Sequence, residues 1–215
     1  MLDRGLRRVI DPYLDPVAGL LQRCGCSANL VSFLGFLVGI GGCVLIASGH
    51  VRLGLLLLLF NRLADGLDGM IARRVAAMGS QSIEGKDVVG SDLGGFLDIV
   101  LDLIFYAAVP LSFGLLDRER NLLPATVLLF SFFGTSGSFL AYAIVQAKRG
   151  GVQRSESGGK SFFYSVGLME GSETVLFFVA FCLWPERFAV LAWVFAGLCV
   201  LTTLQRILAG WCEFR

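Results

Sequence analysis

The chain has 215 residues, 55% of them hydrophobic and only 16% charged, with a formal net charge of +1. That balance excludes an ordinary soluble domain, which is closer to a quarter charged; the net charge says nothing about nucleic acid, and no nucleic-acid partner is expected. A single histidine, His50, all but excludes histidine-centred acid–base chemistry, so a general base here is expected to be a carboxylate.

In chain order, residues 1–22 come first. Leu2, Leu6, Val9, Ile10, Leu14, Val17 and Leu21 recur at helix-like spacing, with Arg4, Arg7, Arg8, Asp11 and Asp15 between them. Pro12 and Pro16 interrupt a continuous helix. The pattern predicts an amphipathic segment lying on the membrane; it lacks the layout of a signal peptide. Residues 23–215 then read as one all-α polytopic domain of six transmembrane helices, near 28–48, 52–73, 92–114, 122–147, 162–184 and 187–210. Connections near 49–51, 115–121 and 185–186 are short, whereas 74–91 and 148–161 are long and polar.

Charge sets the expected orientation. Arg4, Arg7, Arg8, Arg23, Arg73, Arg74, Lys86, Lys148, Arg149, Arg154, Lys160, Arg206 and Arg215 fall on the side of the termini and long loops; Arg52, Arg118, Arg120 and Arg187 fall on the other. The positive-inside rule therefore places both termini and the long loops in the cytoplasm. The six cysteines (24, 26, 43, 182, 199 and 212) lie mostly in apolar runs and read as small core residues. Cys24 and Cys26, with one residue between them, lack zinc-site spacing.

Four aspartates carry the chemistry. Asp65 and Asp68 are i, i+3 on the second predicted span, and Asp98 and Asp102 are i, i+4 on the third. Each pair shares a helix face, and both lie near the cytoplasmic ends of adjacent spans, so an antiparallel helix pair brings all four to one depth. An ionised Asp in a span costs up to about 3.5 kcal/mol, and four together repel one another. Divalent cations relieve both costs, and clustered carboxylates suit Mg²⁺ or Mn²⁺. Four carboxylates could hold two ions, an arrangement that recurs in phosphoryl transfer. The alternative is salt bridging to Arg62, Arg73 or Arg74. Gly66, Gly69, Gly94 and Gly95 leave room beside the acids for a helix or a ligand. Asn61, one turn before Asp65, would orient that carboxylate or make an ordinary interhelical hydrogen bond.

The pattern Asp65-x2-Asp68-Gly69-x2-Ala72-Arg73, followed by Gly94-x3-Asp98-x3-Asp102, resembles the signature of the CDP-alcohol phosphotransferase (CDP-alcohol phosphatidyltransferase) family. All eight signature residues are present. The resemblance implies cleavage of a CDP-linked donor, release of CMP and transfer of the substituted phosphate to an acceptor alcohol or lipid, in phospholipid biosynthesis. It implies two divalent cations, Mg²⁺ or Mn²⁺: Asp65, Asp68 and Asp98 would ligate the first, and Asp65, Asp98 and Asp102 the second. Asp102 would also take the acceptor's proton. Gly69 and Ala72 would line the cytidine site, Arg73 would contact the diphosphate, and Ser91 would lie near the nucleotide. Asn29 and Ser32 match a first-span motif that approaches the CDP moiety, although Ala28 stands where the family usually has Pro. A homodimer in a bacterial inner membrane, with its active site facing the cytoplasm, is expected on the same grounds.

Two features depart from or extend the pattern. Twenty residues (74–93) separate Arg73 from Gly94 where the family usually has about eight, which reads as a neutral loop excursion or as a lid or partner contact. The stretch 160–178 is similar to a bacterial branch of the family and places Glu170 and Glu173 at the fifth span, either as acceptor-site groups or paired with an Arg. Lys148, Arg149, Arg154 and Lys160 would meet an acceptor phosphate or anionic headgroups. The acceptor itself is not legible. The competing functions are a divalent-cation transporter and a prenyl-diphosphate transferase, both of which also use intramembrane acids.

Overall fold

The computed structural model describes residues 14–21, 27–79, 89–149, 169 and 171–215; within the helices, the side chains of 72–79 and 89–92 are outside the description. Seven helices are present among the described residues: α1 (14–21), α2 (Ala28–Ala47), α3 (Val51–Gly79), α4 (Val89–Leu116), α5 (Arg118–Lys148), α6 (Gly171–Leu183) and α7 (Phe188–Phe214). A 3₁₀ turn, Pro185–Arg187, precedes α7. No strand occurs among the described residues. Four stretches are long and apolar enough to cross a membrane: Ala28–Ala47, Leu93–Leu116, Arg118–Lys148 and Pro185–Phe214. α3 is long enough but carries Arg62, Asp65 and Asp68, the very residues that lower its hydropathy. α6 is described over only 13 residues.

The chain falls into two packing units, Met1–Ser112 and Phe113–Arg215. In the first, α2 and α3 form a tight antiparallel hairpin. Its turn is set by Gly49, whose φ of 91° is left-handed and suits glycine. The amides of Gly49 and His50 close back onto the carbonyls of Ile46 and Leu45 at 2.9 and 2.8 Å, capping α2. Small residues then let the two helices approach. A Cβ on Gly35 would lie 2.6 Å from Ala64 Cβ, and one on Gly54 only 2.4 Å from Ile46 Cγ1 and 2.8 Å from the Gly42 carbonyl. Gly54→Val is therefore expected to cost about 1–3 kcal/mol by overpacking. The check is the unfolding temperature in detergent, and an unchanged Tm would show that the seam yields freely.

α1 lies against this hairpin. Ala18 is fully buried with Met70 and Ile71 of α3, flanked by Leu14, Leu21, Ala28, Val31 and Leu67, while Val17 and Leu20 stay exposed. The remainder of the expected amphipathic segment, 1–13 and 22, lies outside the described residues.

In the second unit α5 and α7 run parallel. Phe132 packs edge-on to Phe195 at 5.1 Å, Arg206 Nη1 donates to the Thr135 carbonyl at 2.8 Å, and Tyr142 and Gln146 donate to Glu213. α6 joins through aromatic contacts: Phe177 stacks on Phe195 at 4.3 Å, and Phe181 meets Phe188 at 4.8 Å. Phe113, at the end of α4, stacks on Phe188 at 4.8 Å. Cys182 and Cys199 are buried here and Cys43 in the first unit, while Cys212 is exposed.

One connection differs from expectation. The polar run Asp117–Glu119 reads as loop, yet α5 begins at Arg118. Asp117 is its N-cap, its Oδ1 accepting from the Arg120 amide at 3.2 Å, and Glu119 sits in the first turn, where a negative charge complements the helix dipole.

Candidate active site

The cleft lies wholly in the first unit and encloses about 280 Å³ of space including its open mouth. Ser32 and Phe36 of α2, Asn61, Arg62, Asp65 and Asp68 of α3, and Asp98, Leu101, Asp102 and Phe105 of α4 line it. Helical spacing explains the gathering. Positions 61, 65 and 68 fall on one face of α3, and 98, 101, 102 and 105 on one face of α4.

Carboxylate oxygens of Asp65, Asp98 and Asp102 lie within 4.8 Å of one another. Three hard oxygen donors at that separation fit a divalent cation such as Mg²⁺ or Mn²⁺. Asp68 stands in the same cleft but outside this group: it is buried, and its Oδ2 accepts from Ser32 Oγ, which lies 3.1 Å from the Ala28 carbonyl oxygen. Ser32, expected to approach the nucleotide, thus orients the fourth carboxylate. Ser32→Ala removes a charged hydrogen bond of about 1.5–3 kcal/mol. The Tm in detergent is expected to fall with it; an unchanged Tm would show that Asp68 needs no anchor.

The bridging cation was not singled out as a site residue from the sequence. Arg62 Nη2 donates to Asp102 Oδ1 at 2.8 Å, and Nη1 lies 3.6 Å from Asp65 Oδ2. Salt bridging and an acid cluster, alternatives in the sequence, coexist here. The available signal was cost: an Arg inside a span needs a partner as much as an Asp does. Asn61 makes the interhelical bond, donating to the Gly35 carbonyl at 2.9 Å, and its Oδ1 accepts from Arg62.

Asn29 is half-buried near the start of α2, with its Oδ1 3.0 Å from where a Cβ on Gly94 would sit. This brings the first-span motif against the signature glycine. Gly69 is on α3 one residue past Asp68; Ala72, Arg73 and Ser91 lie on the backbones of α3 and α4, their side chains outside the description. Glu170 is outside it as well. Glu173 is in the first turn of α6, accepting from Ser172 Oγ at 3.1 Å. Lys148 is exposed in the last turn of α5. Arg149 donates to the carbonyls of Glu213 and Phe214 at 3.2 and 2.9 Å and lies 5.0 Å over the Phe214 ring, so it caps α7.

Apolar spanning helices with a carboxylate cage between α3 and α4 define an integral membrane protein with a cation-binding cleft. Residues 26–205 match the CDP-alcohol phosphatidyltransferase family. The chain belongs to that family. It is 41% identical over 211 residues to inner membrane protein YnjF of Escherichia coli (strain K12), covering 98% of this chain and 96% of that one. An uncharacterized protein of Aquifex aeolicus (strain VF5) is 30% identical over 137 residues, covering 63% of this chain and 65% of that one. Among solved structures, the phosphatidylinositol phosphate synthase of Mycobacterium tuberculosis with manganese and citrate superposes with a TM-score of 0.64 at 24% identity, over 92% of this chain and 88% of that one. The same synthase with CDP-DAG bound gives 0.64 at 23% identity, over 92% and 93%. At these identities the likeness establishes the fold.

Proposed function

We propose that the protein transfers a substituted phosphate from a CDP-linked donor to an acceptor alcohol or lipid, releasing CMP, in phospholipid synthesis. The observation that carries this reading is the meeting of Asp65, Asp98 and Asp102 oxygens within 4.8 Å, at the positions of the family signature. In this reading the donor is CDP-diacylglycerol or a CDP-alcohol, and Arg73 grips its diphosphate. Gly69 and Ala72 line the cytidine, with Asn29, Ser32 and Ser91 alongside. Asp65, Asp68, Asp98 and Asp102 hold two divalent ions, which when bound neutralise the diphosphate and stabilise the CMP leaving group. The acceptor oxygen attacks phosphorus, the P–O bond to CMP breaks with its electron pair leaving on CMP, and the acceptor's proton passes to Asp102. Glu170, Glu173, Lys148 and Arg149 are candidates for the acceptor side or for structural pairing.

The same proposal includes six spans, with α3 and the stretch ending in α6 added to the four apolar ones. Residues 1–22 form an interfacial segment, and 23–215 one transmembrane domain. It also places the protein in a bacterial inner membrane as a homodimer, its cleft opening to the cytoplasm. Family membership favours this reading over cation transport or prenyl transfer. The test is purified protein assayed with CDP-diacylglycerol and CDP-alcohols against a panel of acceptors, scoring CMP. Metal-dependent CMP release that a chelator abolishes is the expected result; no CMP with any pair, despite a folded protein, would overturn it.

A further inference from the structure

We infer that Arg62 is a positioning residue, a fixed internal cation that holds Asp102 by one oxygen and offsets the repulsion among Asp65, Asp98 and Asp102. The inference rests on the carboxylate site proposed above. A guanidinium has five N–H donors, and each is directed at a protein group. Nε donates to Asn61 Oδ1 at 2.9 Å, and Nη2 donates to the same oxygen at 2.7 Å and to Asp102 Oδ1 at 2.8 Å. Nη1 donates to the Tyr106 hydroxyl at 3.2 Å and faces Asp65 Oδ2 at 3.6 Å. Four of the five donors are hydrogen-bonded within the protein and the fifth faces a carboxylate, so Arg62 differs in role from a diphosphate-gripping arginine.

The cradle around it is built from three helices. Its carbon Cζ lies 4.7 Å from the Phe105 ring centroid and 5.3 Å from that of Tyr106, a cation–π arrangement on α4. Asn61 is itself pinned by the α2 backbone at Gly35. Gly39 makes the space: a Cβ there would come within 2.8 Å of the Phe105 ring and 3.0 Å of Asn61 Cγ. Asn61 is 4% exposed, and the Arg62 side chain 15%. Such enclosure keeps the charge where water cannot replace it. A guanidinium fork also fixes direction, which an ammonium does not. Arg62 therefore sets the orientation of Asp102 and lets carboxylates from two helices stand together before any ion arrives.

The experiment uses the full-length protein in detergent, with Arg62→Ala and Arg62→Lys. Arg62→Ala is expected to lower kcat for CMP release about 100-fold while KM for the CDP donor stays within about twofold. Added methylguanidinium should restore about tenfold of that loss. Arg62→Lys keeps the charge without the fork, and should fold, keep KM and lose about tenfold in kcat. In a chelator, Arg62→Ala should unfold at lower temperature than the parent, and Mg²⁺ should raise its Tm by more than it raises the parent's. A large KM increase with kcat preserved would make Arg62 a substrate ligand and overturn the inference. So would unchanged kcat, or a Tm loss indifferent to Mg²⁺ with no guanidinium rescue. If Arg62→Ala does not fold, Arg62→Lys decides, and full activity in it overturns the inference. A parent protein whose Tm and activity ignore divalent ions would instead sink the carboxylate-site reading itself.

Discussion

Asp102→Asn is expected to cut CMP release by about 10²–10⁴-fold, the usual range for loss of a general base, while CDP-donor binding is largely kept. The geometry makes this a clean substitution. The amide has the carboxylate's shape, and its carbonyl oxygen can still accept from Arg62 Nη2, now 2.8 Å from Asp102 Oδ1. What is lost is the capacity to take a proton from the acceptor hydroxyl, together with one unit of negative charge. Single-turnover release of CMP, read beside donor binding, separates the two. Turnover near the parent rate would remove Asp102 from the role of base. Weak binding with normal turnover would recast it as a donor-site residue.

Replacing Asp65 by Asn should be at least as damaging, for a different reason. Asp65 belongs to the three-carboxylate group and also faces Arg62 at 3.6 Å. Without its charge, Asp98 and Asp102 remain as a pair opposed by one guanidinium, a poor site for a hard dication. Metal ions contribute several kcal/mol to such reactions, so the expected loss in kcat is about 10³-fold. Both variants should bind Mn²⁺ more weakly, Asp65→Asn the more so, because Asp65 would ligate both ions and Asp102 only the second. Parallel titrations of both variants with Mn²⁺ provide the check. An Asp65→Asn protein with parental ion affinity would mean that the cage is held by other groups.

These two expectations rest on features that were local in the sequence. The i, i+3 and i, i+4 spacings fix which carboxylates share a helix face, and that alone put Asp65 beside the face of Asn61 and Asp98 beside that of Asp102. The short turn at Gly49 was legible because a small residue between two apolar runs has few alternatives. The inward pointing of Ser32 onto Asp68 and of Arg62 onto Asp102 was not, because each depends on how one helix packs against another. Asn61 illustrates the difference: its place one turn before Asp65 left open whether it orients that carboxylate or bonds to a neighbouring helix, and the close α2–α3 approach decides for the Gly35 carbonyl. The start of α5 was obscured for another reason. Asp117 and Glu119 are polar, as a loop would be, but at a helix start polarity serves the cap.

The central claim is that aspartates from α3 and α4 bind divalent ions that engage a cytidine diphosphate group. Mn²⁺ titration of the purified protein, followed by electron paramagnetic resonance with and without CDP-diacylglycerol, tests it most directly. The account predicts two ions per chain, held more tightly when the nucleotide lipid is present and lost in Asp65→Asn. A spectrum of free Mn²⁺ throughout, unchanged by the nucleotide lipid, would contradict it.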